Sequence, residues 1–396
     1  MFNGGPGAAS AFLHLGLVGP RILDLGPDAR DTAQARLRDN PDTWLAFTDL
    51  VLIDPIGTGW SRTVKADDGK HFWSIGSDAD AMAKAIALYV ARNNRAGSRK
   101  YLLGESYGGF RAVKTARALQ REQGIAIAGI VMLSPLIEGW LTFGDDQSAL
   151  RAALELPSLA AAELERKNTF NAQALAAAEK FAMTDYLTTL AGPPPRADAA
   201  NAFYGRVAQI SGLPVETVKR ERGFVTDAYV KSLRAGKIVS RYDATFAVDD
   251  PFPEERAARG PDPILDGVAR AYGGAFADYA RNELGFKTEM TYALLSGDVT
   301  RQWDWGKGGR LSAGAESDLR VLLAFSPTFR LLVAHGVSDM VTPYAMTRYV
   351  LDHMPPTDPP GRAQLKLYRG GHMLYLDPQS RKAFSADAAA FYRSAE

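Results

Sequence analysis

Tyr101-Leu102-Leu103-Gly104-Glu105-Ser106-Tyr107-Gly108-Gly109 decides the fold. Two apolar residues run into a Gly-x-Ser-x-Gly turn, and a helical pattern from Phe110 to Gln120 follows it. Strand, tight turn and helix in that order predict a nucleophile elbow, with the serine held in a strained backbone conformation at the end of a strand. The turn needs small residues on both sides of the serine, because a side chain at 104 or 108 would collide with the neighbouring strand or helix. A bare Gly-x-Ser-x-Gly recurs by chance in many chains. Its position between an apolar strand and a helix gives it weight here.

The flanking sequence builds a sheet around that turn. Asp49 to Asp54 is a continuous apolar run between two acids, which predicts a parallel strand covered on both faces. The glycine-rich turn Pro55 to Ser61 follows it, but the third glycine and the helix of a dinucleotide site are missing. Ser77 to Ala91 has apolar residues at 79, 82, 83, 86 and 90, the spacing of a helix, with Asp78 and Asp80 in its first turn. Ile125 to Leu133 predicts another buried strand, ending at Ser134-Pro135. Strand and helix therefore alternate, as in a mostly parallel, doubly wound α/β sheet. Nearer the start, Gly19 to Asp31 predicts a loop with a short extended piece over Arg21 to Leu25.

From residue 139 to 295 the pattern changes. Alanine-rich helical stretches dominate (Glu155 to Ala191, Pro214 to Leu233, Pro263 to Leu284), broken by Pro193-Pro194-Pro195 and Pro251-Phe252-Pro253. The sheet pattern then resumes with strands at Phe329 to Val333 and Leu365 to Tyr368 and helices at Pro343 to His353 and Gln379 to Tyr392. The expected organisation is an α/β core over 1–138, a helical lid inserted over 139–295, and the core continued over 296–396.

Composition narrows the function. A net charge of +1 with no basic run speaks against a nucleic-acid or membrane-surface role. The absence of cysteine excludes disulfides, thiolate catalysis and Cys-ligated zinc. The histidines at 14, 71, 335, 353 and 372 lack metal-binding spacing, so neither a metal nor another cofactor is expected.

Three polar residues stand after three predicted strands: Ser106, Asp339 and His372. Their order along the chain is that of the α/β-hydrolase fold, and ligands in such sheets bind at the carboxyl ends of the strands. A serine hydroxyl is a weak nucleophile, so His372 would take its proton and Asp339 would orient and stabilise the imidazolium. His335 is expected to pack at the end of its strand. Asp352 and Asp358 compete with Asp339 but do not follow a strong strand, and His14 and His71 are read as structural or surface residues.

With these residues in view the chain resembles the serine carboxypeptidases, peptidase family S10. Asn3-Gly4-Gly5-Pro6-Gly7 resembles that family's Asn-Gly-Gly-Pro-Gly loop, and Gly104-Glu105-Ser106-Tyr107 its Gly-Glu-Ser-Tyr motif. Asn40-Pro41-x-x-Trp44, Asp54-Pro55-x-Gly57-x-Gly59-x-Ser61 and Gly371-His372-Met373 also fit the pattern. The resemblance implies a triad of Ser106, Asp339 and His372 and an oxyanion hole from the N–H groups of Gly5 and Tyr107. It further implies that Asn3, Gly4 and Glu105 bind the free carboxylate of a peptide substrate, and that Met373 lines the pocket of its last side chain. A carboxylic acid beside a carboxylate site implies a shared proton and a raised pKa at Glu105.

Two departures qualify the resemblance. Without cysteine to brace the lid, the chain is similar to bacterial members of the family. The strands that precede the Asn-Gly-Gly loop in that pattern are missing, so an upstream segment is expected, with a periplasmic or secreted location if a signal peptide lies within it. The competing functions are those of other hydrolases on the same scaffold: an esterase, a prolyl aminopeptidase or an acyltransferase. Prolyl aminopeptidases usually have His where Asn3 stands and lack Glu before the serine.

Overall fold

The computed structural model describes residues 1–26, 32–255 and 260–393. Part of the loop expected up to Asp31 therefore lies outside the described residues. Among the described residues, eight strands follow the chain: β1 (Arg21–Asp24), β2 (Arg36–Asp39), β3 (Tyr101–Glu105), β4 (Gly129–Leu133), β5 (Lys237–Val239), β6 (Ala247–Asp249), β7 (Arg330–Gly336) and β8 (Ala363–Tyr368). β3, β4, β7 and β8 form one parallel sheet in that spatial order, while β1 with β2 and β5 with β6 are small antiparallel pairs.

Alternation along the strands divides the core. Leu102, Ile130, Leu331 and Val333 face a layer built by the helices Ile75–Arg92, Tyr107–Glu122, Glu316–Phe325 and Tyr344–His353. Leu103, Val131, Leu332 and Ala334 face the other layer, which holds residues 8–25, the helix Ala271–Asn282 and the last helix, Pro378–Arg393. Burial on both faces is why β3, β4 and β7 read as apolar runs, whereas β8 leaves Gln364 and Lys366 exposed.

On the free side of β3 the sheet continues through the first residues. Phe2 bridges Gly104 in parallel, and Met1 bonds both Val51 (2.9 Å) and Ile53 (3.0 Å). The chain thus runs outward from Phe2 to 51–53 and later returns to the opposite side of Phe2 at β3. The direction of winding reverses at that point, where α/β sheets open a crevice at the carboxyl ends of their strands. The strand expected at Asp49–Asp54 is a half-buried extended segment without a ladder; among the described residues its bonds to other main-chain groups go to Met1, through Val51 and Ile53.

The stretch 139–295 has two parts. Helices between 149 and 232, with β5, close around their own core of Leu156, Leu159, Val207 and Tyr229. Residues 263–295 instead bury Ile264, Tyr272, Phe276 and Leu294 against the layer beneath the sheet. The helix Ala197–Ser211 and the pair β5–β6 have no counterpart in the sequence-based expectation.

Two motif positions turn out to be braces. Asn40 donates to the carbonyls of Leu17 (2.9 Å) and Gly19 (2.8 Å). Trp44 is fully buried against Phe384 and Tyr392, and its indole N–H donates to Ser385 Oγ at 2.9 Å. Trp44→Ala is expected to lower the unfolding free energy by about 3–5 kcal/mol. Ser385→Ala, which removes one partner of that bond, should lower it by about 1 kcal/mol. Urea denaturation measures both.

Candidate active site

The elbow is held by contacts across the sheet edge. Ser106 has φ 60° and ψ −126°, a region that side-chain-bearing residues avoid. Its N–H donates to Leu133 O (2.8 Å), and its carbonyl accepts from Gly109 (2.9 Å) and Leu136 (3.1 Å). A Cβ on Gly108 would lie 2.5 Å from Phe2 O and 2.9 Å from Asn3 O, so the helix start presses directly on the first residues. A Cβ on Gly104 would strike the Gly108 carbonyl. Glycine is obligatory at both places for close approach rather than for its φ.

Asn3, Gly4, Gly5, Glu105, Ser106, Tyr107, His372 and Met373 line one cavity of about 410 Å³. Its remaining wall is largely apolar, with Phe12, Leu136, Phe143, Leu265, Leu295 and Trp305. Among the described residues the N–H groups of Gly5 and Tyr107 have no acceptor within the chain, and both residues border the cavity. The Asn3 loop is fastened from behind. Asp54 accepts from Ser10 N–H and Oγ, each at 2.7 Å, and the Arg111 guanidinium donates to the Asn3 carbonyl while pairing with Asp78 at 2.6 Å.

Asp339 and His372 follow β7 and β8 and meet in the buried interior. His372 Nδ1 lies 2.8 Å from Asp339 Oδ2, and Asp339 Oδ1 accepts the N–H groups of Val341 (2.7 Å) and Thr342 (3.1 Å). Burial alone would raise the Asp339 pKa, but the charge and hydrogen bond of His372 outweigh it and hold the group below its ordinary value. For His372, burial pushes downward, and Asp339 overcomes this to leave the imidazole raised. Among the described residues no hydrogen bond joins Ser106 Oγ to His372, although both border the same cavity. Hydroxyl-to-base bonds of this kind often tighten only when substrate is present.

The family model of the serine carboxypeptidases matches residues 2–140. The matched stretch includes Asn3, Gly4, Gly5, Glu105, Ser106 and Tyr107 and ends before Asp339 and His372. The protein is a hydrolase of the α/β-hydrolase type. No curated protein matches this hydrolase. Among solved structures it is similar to a proline iminopeptidase of Mycobacterium smegmatis, at 16% identity over 100% of this chain and 88% of that one, with a TM-score of 0.39. A hypothetical protein of Pseudomonas aeruginosa is similar at 17% identity over 99% and 90%, TM-score 0.36. A proline iminopeptidase-related protein of Thermus thermophilus is similar at 15% identity over 98% and 88%, TM-score 0.28.

Several supports of this hydrolase's site escaped the sequence reading. Thr342 Oγ1 lies 2.9 Å from Asp339 Oδ2, 3.1 Å from His372 Nδ1 and 2.9 Å from Ser134 O. Ser134 Oγ in turn donates to the His372 carbonyl at 2.8 Å. Tyr242 accepts the His372 N–H on its carbonyl (2.6 Å) and sets its ring edge-on to the imidazole. A hydroxyl three residues past the acid was a readable signal for Thr342, while Tyr242 had none. His335 sits at the end of β7 with Nε2 against Thr347 Oγ1 (2.8 Å), and burial pushes its pKa down to about 4, as suits a packed neutral histidine.

Glu105 is buried, and desolvation raises its pKa to about 7 against the opposing pull of His372, Tyr375 and Asn3. A carboxyl raised on folding binds its proton more tightly in the native state, so stability falls as pH rises from the ordinary value of 4.5 through about 7. Glu105→Gln is expected to remove up to about 3 kcal/mol of that fall, checked by denaturant titrations between pH 5 and pH 8. The strain at Ser106 has its own signature. Ser106→Gly should be more stable than Ser106→Ala by about 1–3 kcal/mol, since only glycine takes that conformation freely; equal unfolding midpoints would contradict it.

Proposed function

We propose that the protein is a serine-type carboxypeptidase that removes the last residue of peptides. The observation that carries this reading is the buried pair of Asn3 and Glu105 beside Ser106, bonded at 2.5 Å and bordering the same cavity. A general esterase has no use for a protonatable acid and an amide at that position. A substrate with a terminal carboxylate uses both.

In this reading the substrate's terminal carboxylate rests against Asn3, the Gly4 N–H and Glu105, sharing the Glu105 proton. That anchoring puts the last peptide bond over Ser106 and limits cleavage to one residue from the end. Ser106 Oγ attacks the carbonyl carbon as His372 Nε2 takes the hydroxyl proton. The developing oxyanion is met by the N–H groups of Gly5 and Tyr107. His372 then gives the proton to the departing amine, which leaves an acyl-enzyme on Ser106. Water, activated by the same imidazole, completes hydrolysis, and Asp339 stays ionised throughout.

The apolar cavity wall, with Met373, favours an apolar last side chain. Residues 139–295 act as the lid over this cavity, with Tyr242, Leu265 and Arg270 on its border.

A peptide library with free and amidated C-termini, followed by mass spectrometry, tests the proposal. One-residue trimming of the free peptides and none of the amides is expected. Ser106→Ala should reduce turnover by about 10⁴-fold or more. Cleavage of amidated peptides at an equal rate, or release of N-terminal residues, would sink it.

A further inference from the structure

The carboxyl of Glu105 receives two donors from the chain. Asn3 Nδ2 donates to Oε2 at 2.5 Å, and the Tyr375 hydroxyl lies 3.1 Å from both Oε1 and Oε2. An amide N–H can only donate, so the Asn3 bond marks Oε2 as an acceptor. Oε1 is then the oxygen that carries the proton when Glu105 is neutral. The phenol faces both oxygens equally and gives its single proton to whichever holds more charge.

Tyr375 is built into this position. It is 1% exposed, and a Cβ on Gly16 would lie 2.5 Å from its Cε2 and 2.8 Å from its Cδ2, so its ring fills the space above that glycine. Its backbone belongs to the single turn Leu374–Leu376, closed by the Leu376 N–H on Met373 O at 2.9 Å. The turn follows His372 directly, so the phenol is held by the same loop as the imidazole. Burial, reinforced by Glu105, keeps the phenol protonated well past the pH at which Glu105 titrates.

The charged and titratable groups that act on Glu105 itself are few, and two further cations, Arg270 and Arg301, border the cavity it lines. His372 and Asp339 act from the loops after β8 and β7, Tyr242 from the segment before β6, and Tyr272 from the helix Ala271–Asn282. Of these, His372 is the one cation, and it is hydrogen-bonded to Asp339. Asn3 supplies a neutral amide, which leaves Tyr375 as the hydroxyl bonded to Glu105 among the described residues.

We propose that Tyr375 is the positioning residue that sets the charge state of Glu105. Hydrogen bonds donated to a carboxylate favour its ionised form. With the phenol present Glu105 changes charge near neutrality, and without it the group stays protonated further into alkali. Given the carboxylate-site reading of Asn3 and Glu105, on which this consequence rests, Tyr375 limits the pH range over which a ligand with a free carboxylate is accepted. It thereby also allows a carboxylate-bearing product to be expelled as pH rises.

The experiment compares the wild type, Tyr375→Phe and a protein with 3-fluorotyrosine, a stronger donor, at position 375. Glu105 is titrated by carbon NMR of ¹³Cδ-labelled glutamate, with Glu105→Gln to assign its signal. Tyr375→Phe should move the Glu105 midpoint up by about one pH unit, and 3-fluorotyrosine should move it down. An unmoved midpoint in both proteins, or shifts of the opposite sign, would overturn the proposal. Affinity of a leucine-terminated peptide is measured alongside on the Ser106→Ala background, as free acid and as amide. The alkaline limit of the free acid should follow the Glu105 midpoint, and the amide should show none. If the midpoint moves as expected but acid and amide bind alike, Tyr375 keeps its role and the carboxypeptidase reading fails instead.

Discussion

The 2.5 Å bond from the Asn3 amide to Glu105 joins two pieces of chain that are a hundred residues apart in sequence. It lies where Phe2 bridges Gly104 and where Gly108 leaves no room for a side chain against Phe2 and Asn3. The rest of the site is arranged to keep this junction closed. Asp54 grips Ser10 from one side, and the buried Arg111, paired with Asp78, grips the Asn3 carbonyl from the other. Arg111 is itself 1% exposed, and a buried guanidinium is tolerable only with partners of this kind. Break the junction and the free N–H of Gly5 no longer has a fixed relation to Ser106 and to the neighbouring N–H of Tyr107.

Around that junction two carboxyl groups are driven in opposite directions. Asp339 has a histidine and two backbone N–H groups, and stays ionised in the interior. Glu105 has an amide and a phenol but, among the described residues, no bonded cation, so desolvation prevails and its proton is held to about pH 7. The interior thus holds one carboxyl group as an anion while another keeps its proton, and their neighbours alone make the difference.

Much of this was legible in the sequence, for reasons that differ by element. β3, β4 and β7 are buried on both faces, so their apolar runs carry the signal in nearly every residue, while β8 alternates half-buried Leu365 and Leu367 with exposed Gln364 and Lys366. The elbow and the Asn3 loop depend on glycines that steric contact leaves no freedom to change, and such residues stay readable. The segment at 49–54 misled because its apolar run suggests cover on both faces, whereas residues 50–54 are half-buried and form no ladder. Ser134 and Tyr375 act through single hydroxyls, and nothing in local pattern separates a hydroxyl that supports a site from one that caps a turn. Tyr242 acts through its backbone carbonyl, which no residue type announces. The helix Ala197–Ser211 and the β5–β6 pair lie where packing inside the helical segment, rather than periodicity, selects the structure.

The backbone at Tyr242 and Asp243 has a further consequence. Tyr242 O accepts the His372 N–H, Asp243 accepts from Ser338 Oγ at 2.7 Å, and Gly371 is pressed so closely that a Cβ there would lie 2.6 Å from Asp243 Cα. The loop bearing His372 is therefore moulded against the segment between β4 and β7. The helices between 149 and 232 keep most of their burial in a core of their own, although Leu154, Ala161 and Leu175 pack into the main one, so exchanging them has to preserve those three contacts. Such a graft has to reproduce the main-chain course through 242 and 243, because the position of the imidazole is inherited from it.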